Sequence, residues 1–285
     1  MNQSTEAYIA QHRHDDPARL ALKGAPEGVD LPFALRQIEG WQTAVKKLPR
    51  WAAADGIIYP VRLSMQQCSS ESTALYKAQV VQRLIPEAER TAMADLTGGL
   101  GVDFSFLAAL FPRAWYVECN EALCAAARNN LPLLGLPEAE VVCADAESFV
   151  SRHSFSLIFL DPARRDGAGR KLVRIEDCQP DVSALQDRLL ALAPTVMVKL
   201  SPMLDITQAL KALAHVAEVH IVASDGECKE LLLVMRRGHE AEPVLHCEGL
   251  CFTRSEESAA EPLWAADVKE WLYIPSPAMM KAAPY

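Results

Sequence analysis

No stretch of the 285 residues approaches the run of about 20 apolar side chains that a membrane-spanning helix needs. The opening residues Met1, Asn2, Gln3, Ser4, Thr5 and Glu6 lack the basic region and apolar stretch of a secretory leader. A cytoplasmic protein without a membrane partner is therefore expected. The eight cysteines include no C-x-x-C pair, and the histidines follow no ligand spacing. That argues against a disulfide framework and against a metal site, so reduced cysteines and no metal requirement are expected. Positive charge is also short: the formal net charge is −9. Such a chain does not coat nucleic acid by bulk electrostatics, although a local basic patch remains open to it. No internal repeat is present, so a repeat architecture is not expected.

Half of the residues are hydrophobic, enough for one large core and a smaller module. The most informative stretch runs Ala94, Asp95, Leu96, Thr97, Gly98, Gly99, Leu100, Gly101, Val102, Asp103. A glycine-rich turn after an apolar strand lets backbone N–H groups and a helix N-terminus come close to a ligand. A dinucleotide fingerprint would require a third glycine where Phe104 stands, which disfavours a pyrophosphate. Asp95 and Asp103 bracket the turn, and at contact distance they repel an anion and attract an ammonium or sulfonium group. S-adenosylmethionine carries both cationic groups. Its carboxylate suits the loop N–H groups of Thr97, Gly98, Gly99 and Gly101, and its amino group suits Asp95. Glu118, ending the apolar run 115–117, suits the ribose hydroxyls. Asp145, with the backbone N–H of Ala146, suits the adenine.

These motifs, with Asp161, Pro162, Ala163 and Arg164 as the fourth, follow one another at intervals of about 20–30 residues, one strand–helix unit each. Over roughly residues 68–238 the chain resembles the class I S-adenosylmethionine-dependent methyltransferases. The expected fold is α/β, a doubly wound, mostly parallel, seven-stranded Rossmann-like sheet. Strands are read at 92–95, 114–118, 140–143, 157–160, 195–199, 220–223 and 231–236, the last two forming a closing hairpin across a turn at 224–230. The expected organisation is an N-terminal helical module (1–64, with a helix over 31–47), the methyltransferase domain (65–238) and a C-terminal extension (239–285).

The fourth motif bears on the acceptor. Asp161 and Pro162 are the candidate catalytic residues, the carboxylate orienting an acceptor amine and helping to remove its proton. Arg164, Arg165, Arg170, Lys171 and Arg174 follow it with Asp166 alone opposing them, a patch suited to nucleic-acid phosphates. Lys199 is a candidate phosphate or base contact. The Asp-Pro-Ala-Arg form is also similar to RNA uracil-C5 methyltransferases, whose general base corresponds to Glu230. Carbon methylation needs a cysteine nucleophile after the fifth strand, where this chain has Val198, Lys199, Leu200, Ser201 and Pro202. Cys228 is the nearest substitute. N-methylation of a base in tRNA or rRNA is therefore expected, with a small-molecule N-methyltransferase or a non-catalytic S-adenosylmethionine-binding regulator as alternatives. The helix beginning at Ser69, the Asp-Pro-Ala-Arg-Arg run and the final segment resemble a bacterial methyltransferase group carrying a C-terminal THUMP-like RNA-binding module. The resemblance implies that this chain stops where that module begins.

Overall fold

The computed structural model describes residues 2–149, 154–164, 175–261, 266–267, 270–271 and 274–283. Its helices, in chain order, are α1 (Gln3–His12), α2 (Pro17–Lys23), α3 (Leu31–Lys47), α4 (Pro49–Ala52), α5 (Arg62–Gln67), α6 (Glu71–Leu84), α7 (Val102–Leu107), α8 (Glu121–Leu133), α9 (Val182–Leu192), α10 (Ile206–Ala212), α11 (Arg254–Ala259) and α12 (Pro277–Ala282). Its strands are β1 (Met93–Asp95), β2 (Ala114–Glu118), β3 (Glu140–Cys143), β4 (Leu157–Leu160), β5 (Ala163–Arg164), β6 (Cys178–Gln179), β7 (Thr195–Leu200), β8 (Val216–Ser224), β9 (Glu227–Arg236), β10 (Val244–Cys247) and β11 (Leu250–Phe252). All seven expected strands are present. Among the described residues no helix is long and apolar enough to cross a membrane.

Two compact units divide the chain. One comprises Met1–Thr91 with Gly98–Asp145, the other Ala92–Thr97 with Ala146–Tyr285. In the first, α3 starts where Asp30 accepts from the Phe33 N–H and Pro32 occupies the first turn, a favourable helix entry. Tyr8, Leu20, Ala34 and Ile38 then close a small core under α1–α3. The segment 57–60 has no ladder partner of its own here. Instead, the Gln37 side chain exchanges hydrogen bonds with the Tyr59 backbone at 2.8 and 2.9 Å, and Asn130 does the same with Ile58. Buried backbone groups must be paired, and here two side-chain amides stand in for strands. Trp51, fully buried, donates to Ser105 Oγ and ties α4 to α7. β2 and β3 pair in parallel, with Glu118 opposite Cys143.

In the second unit the sheet runs β11-β10-β8-β9-β7-β4-β1. β1, β4 and β7 are parallel, and β9 lies antiparallel between β7 and β8, as the closing hairpin requires. Both hairpin strands are longer than the sequence suggested. The turn shrinks to Asp225 and Gly226, with φ of 55° and 73°, the left-handed pair of a type I′ turn that matches strand twist. Glu230 therefore sits inside β9, buried, rather than in a turn before it. The C-terminal extension supplies two more strands, β10 parallel to β8 and β11 antiparallel to β10.

Candidate functional site

In the first unit, Glu118 ends β2 and Asp145 lies just beyond its parallel neighbour β3. Glu118 Oε2 accepts from the Gly99 N–H at 2.9 Å, and Oε1 accepts from the Asn120 N–H at 2.9 Å, so this carboxylate braces the glycine turn against the loop after β2. Asp145 lies two residues beyond β3, whose end is held by the Ala144 N–H donating to the Glu118 carbonyl. The Cys119 thiol is pushed up, first by desolvation, then by its hydrogen bond to Glu118 and by the charges of Glu118 and Asp145. Both residues stand at the carboxyl ends of adjacent parallel strands, where open α/β sheets bind ligands.

The turn leaves little room for side chains. A Cβ on Gly98 would collide with Cε2 of Tyr116, whose hydroxyl donates to the Gly99 carbonyl. Gly101 adopts φ of 90° as α7 begins, a conformation glycine takes without strain. The loop N–H groups expected to meet the cofactor carboxylate are instead engaged within the protein: Gly98 donates to the Val117 carbonyl at 2.9 Å, Gly99 to Glu118 Oε2 at 2.9 Å, Gly101 to the Gly98 carbonyl at 2.8 Å and Thr97 to Asp95. Asp103 has protein partners too. Its carboxylate accepts from Ser69 Oγ at 2.6 Å and lies 3.0 Å from Lys77 Nζ, in a dry contact between α6 and α7.

In the second unit, β1 and β4 end together, with Asp95 opposite Phe159. Buried Asp95 accepts from the Thr97 N–H at 3.0 Å, and the Thr97 hydroxyl accepts from the Asp161 N–H at 2.6 Å. Asp161 follows β4 directly, and its Oδ2 is 2.7 Å from Lys199 Nζ on β7. The side chain of Asp161 remains 41% exposed while that of Lys199 is 12% exposed, so the lysine backs the carboxylate from inside. Pro162 is buried, and Ala163 and Arg164 pair with Gln179 and Cys178. Ala146 lines a small apolar cleft with Leu96, Phe149 and Leu185, and Arg188 fixes that segment by donating to the carbonyls of Glu147 and Phe149.

The structure thus brings Glu118 onto the 98–101 turn and sets Asp145 beyond the neighbouring strand in one unit, and brings Asp95, Thr97, Asp161 and Lys199 together in the other. The bracing roles of Thr97 and Lys199 were not visible in sequence. Arg165, Arg170, Lys171 and Arg174 lie outside the described residues.

A solved structure from Porphyromonas gingivalis W83, assigned as a methyltransferase, is 32% identical to this chain, covers 98% of it and 71% of its own length, and superposes with a TM-score of 0.83. The chain belongs to the methyltransferases and has the class I methyltransferase fold. A Listeria monocytogenes protein assigned to that class shares the fold at 10% identity, with a TM-score of 0.53, covering 84% of this chain and 87% of its own. No family model and no curated protein matches. The cofactor that the class I fold implies is S-adenosylmethionine. The residues present fit it: the acids are of the sign its ammonium and sulfonium groups need, and Gly98 is pressed so closely on Tyr116 that no side chain obstructs the turn.

Proposed function

We propose that this methyltransferase transfers a methyl group to an amino nitrogen of a base in structured tRNA or rRNA, acting in the cytoplasm. The observation that carries the reading is Asp161. Its backbone is held by Thr97, its side chain by Lys199, and its carboxylate stays accessible at the end of β4. A fixed carboxylate is what an exocyclic amine needs, since it accepts the N–H and orients the lone pair. Carbon methylation finds less support. It would call on Cys228, half-buried on β9, whose thiol is pushed up chiefly by burial and so is a poor nucleophile. The basic run from Arg164 to Arg174 follows Asp161 directly in the chain and suits phosphates. The resemblance to the group with a C-terminal THUMP-like module supports a second grip on RNA, which an acidic catalytic chain would need.

For the cofactor, we assign Asp95 to the amino group, Glu118 to the ribose, Asp145 and the Ala146 N–H to the adenine, and Thr97, Gly98, Gly99 and Gly101 to the close turn. Asp103 acts by fixing α7 behind that turn. Bound S-adenosylmethionine supplies an electrophilic methyl on sulfur. Lys199 engages Asp161 Oδ2, so Oδ1 receives the proton of the acceptor amine as its nitrogen takes the methyl group. Glu118→Ala should weaken cofactor binding by about 1–3 kcal/mol in calorimetry, because the carboxylate's hydrogen bonds disappear and Gly99 loosens. Unchanged affinity would remove the ribose assignment.

The acceptor class is tested by incubating the enzyme with labelled cofactor and total RNA from cells lacking it, followed by nucleoside mass spectrometry. The expected product is an N-methylated base. Arg165→Ala with Arg170→Ala should weaken RNA binding and reduce its salt slope by about one logarithmic unit for each arginine–phosphate pairing removed. Label confined to small molecules, or a double variant with the parent's RNA affinity and slope, would refute the RNA reading.

A further inference from the structure

Three residues outside the methyl-transfer machinery converge on the C-terminal edge of the second unit's sheet. β8 and β10 are parallel neighbours in a register that sets His246 opposite His220. Glu218 precedes His220 by two residues on the same strand, so it shares that face. Glu218 Oε2 is 2.9 Å from His220 Nε2 and 3.7 Å from His246 Nε2, and the three ligand atoms lie within 4.8 Å of one another. The two imidazoles stack at 4.4 Å with only 11° between their planes, and both turn the Nε2 edge to the same carboxylate. The next strand adds Cys251, paired with His246, with its Sγ 3.2 Å from His246 Nδ1.

We propose that Glu218, His220 and His246 form a binding site for a zinc-type divalent metal ion. With metal–ligand bonds near 2.0–2.1 Å and tetrahedral angles, neighbouring ligand atoms stand about 3.3 Å apart. The 2.9 and 3.7 Å from the carboxylate straddle that spacing, and the two imidazole nitrogens, within 4.8 Å of one another, would draw onto the ion as it enters. Two imidazoles and one carboxylate suit borderline transition metals, whereas magnesium and calcium demand oxygen ligands. The surroundings favour occupation, because His220 is 1% exposed and a carboxylate held among rings in a dry site gains from a cation. Cys251 has the place of an outer partner. A hydrogen bond from Nδ1 to its sulfur leaves Nε2 of His246 as the ligating nitrogen, the usual way a metal-bound imidazole is oriented. The remaining tetrahedral position falls to water. Bound metal would fasten β10 and β11 to β8 and so hold the C-terminal extension on the sheet.

The test uses the full chain, stripped with chelator and titrated with Zn²⁺ in a calorimeter, with Co²⁺ as a spectroscopic stand-in. One ion per chain is expected, with the visible absorption of tetrahedral cobalt and no strong thiolate band. Glu218→Gln and His246→Asn should each lose binding by about tenfold or more, and Cys251→Ser by about tenfold, while His12→Asn binds as the parent does. Retained S-adenosylmethionine binding shows that these variants fold. If His246→Asn does not fold, the parent's cobalt spectrum decides. Absence of stoichiometric binding, a thiolate-dominated spectrum, or wild-type affinity in a folded His246→Asn would each overturn the site.

Discussion

Replacing Lys77 by alanine should lower the free energy of unfolding by about 3–5 kcal/mol, the cost of stranding one member of a buried ion pair. Lys77 is fully buried on α6, with Nζ 3.0 Å from Asp103 Oδ1 and 3.2 Å from the Thr73 carbonyl. Without the ammonium, Asp103 keeps the Ser69 hydroxyl at 2.6 Å but faces dry surroundings as an anion. Urea unfolding of the single variants against Lys77→Met with Asp103→Leu measures the coupling. The double replacement should recover most of the loss, since an apolar pair of similar volume is often as stable as the ions it replaces. A single-variant cost under about 1 kcal/mol, the range of exposed pairs, would show the pair to be hydrated. Asp103→Asn extends the comparison. If Asp103 only anchors α7, stability falls while the folded fraction keeps its cofactor affinity; a selective loss of affinity would return Asp103 to the cofactor.

Asp161→Ala should reduce turnover by about 10²–10⁴-fold, the contribution of a positioned acid–base group, with cofactor affinity unchanged. The basis is the separation of tasks around the β4 end. Thr97 and Lys199 fix Asp161, and none of the assigned cofactor contacts falls on the Asp161 carboxylate. Single-turnover rates with saturating RNA and cofactor are the appropriate measurement, because they isolate the chemical step. Asp161→Asn should fall between the two, keeping an acceptor oxygen but losing the base. Full activity in Asp161→Ala would leave the acceptor to another residue and sink the assignment.

Much of this was legible in the sequence because the chemistry sits at strand ends that local patterns reveal. The apolar runs before Asp95, Glu118, Asp145 and Asp161 fixed both the strands and the order of the acids, and helix α3 lay where its apolar spacing put it. What escaped was information carried by partners distant in the chain. Lys77 looks like any solvated helix lysine until α7 is set against α6. Lys199 reads as a phosphate contact until β7 pairs with β4 and turns it onto Asp161. The hairpin was misjudged for a local reason: Glu227, Cys228, Lys229 and Glu230 read as polar loop, while the Asp225–Gly226 turn alone reverses the chain. His220 and His246 have no ligand spacing, and only the β8–β10 register brings them into line.

The two amides that grip residues 57–60 have a kinetic consequence. Gln37 reaches Tyr59 across 22 residues of chain, but Asn130 reaches Ile58 across 72. Closing the longer loop costs about 1 kcal/mol more conformational entropy than the shorter, so the Gln37 clasp is the one to form early. Until α8 is in place, the Ile58 N–H and carbonyl on one edge of this segment lack the Asn130 partner. On the ribosome, that edge is exposed from the time residue 60 emerges until Asn130 follows. Chaperone engagement and early proteolysis should concentrate in that interval, and a fragment ending before α8 should remain open to association with other chains.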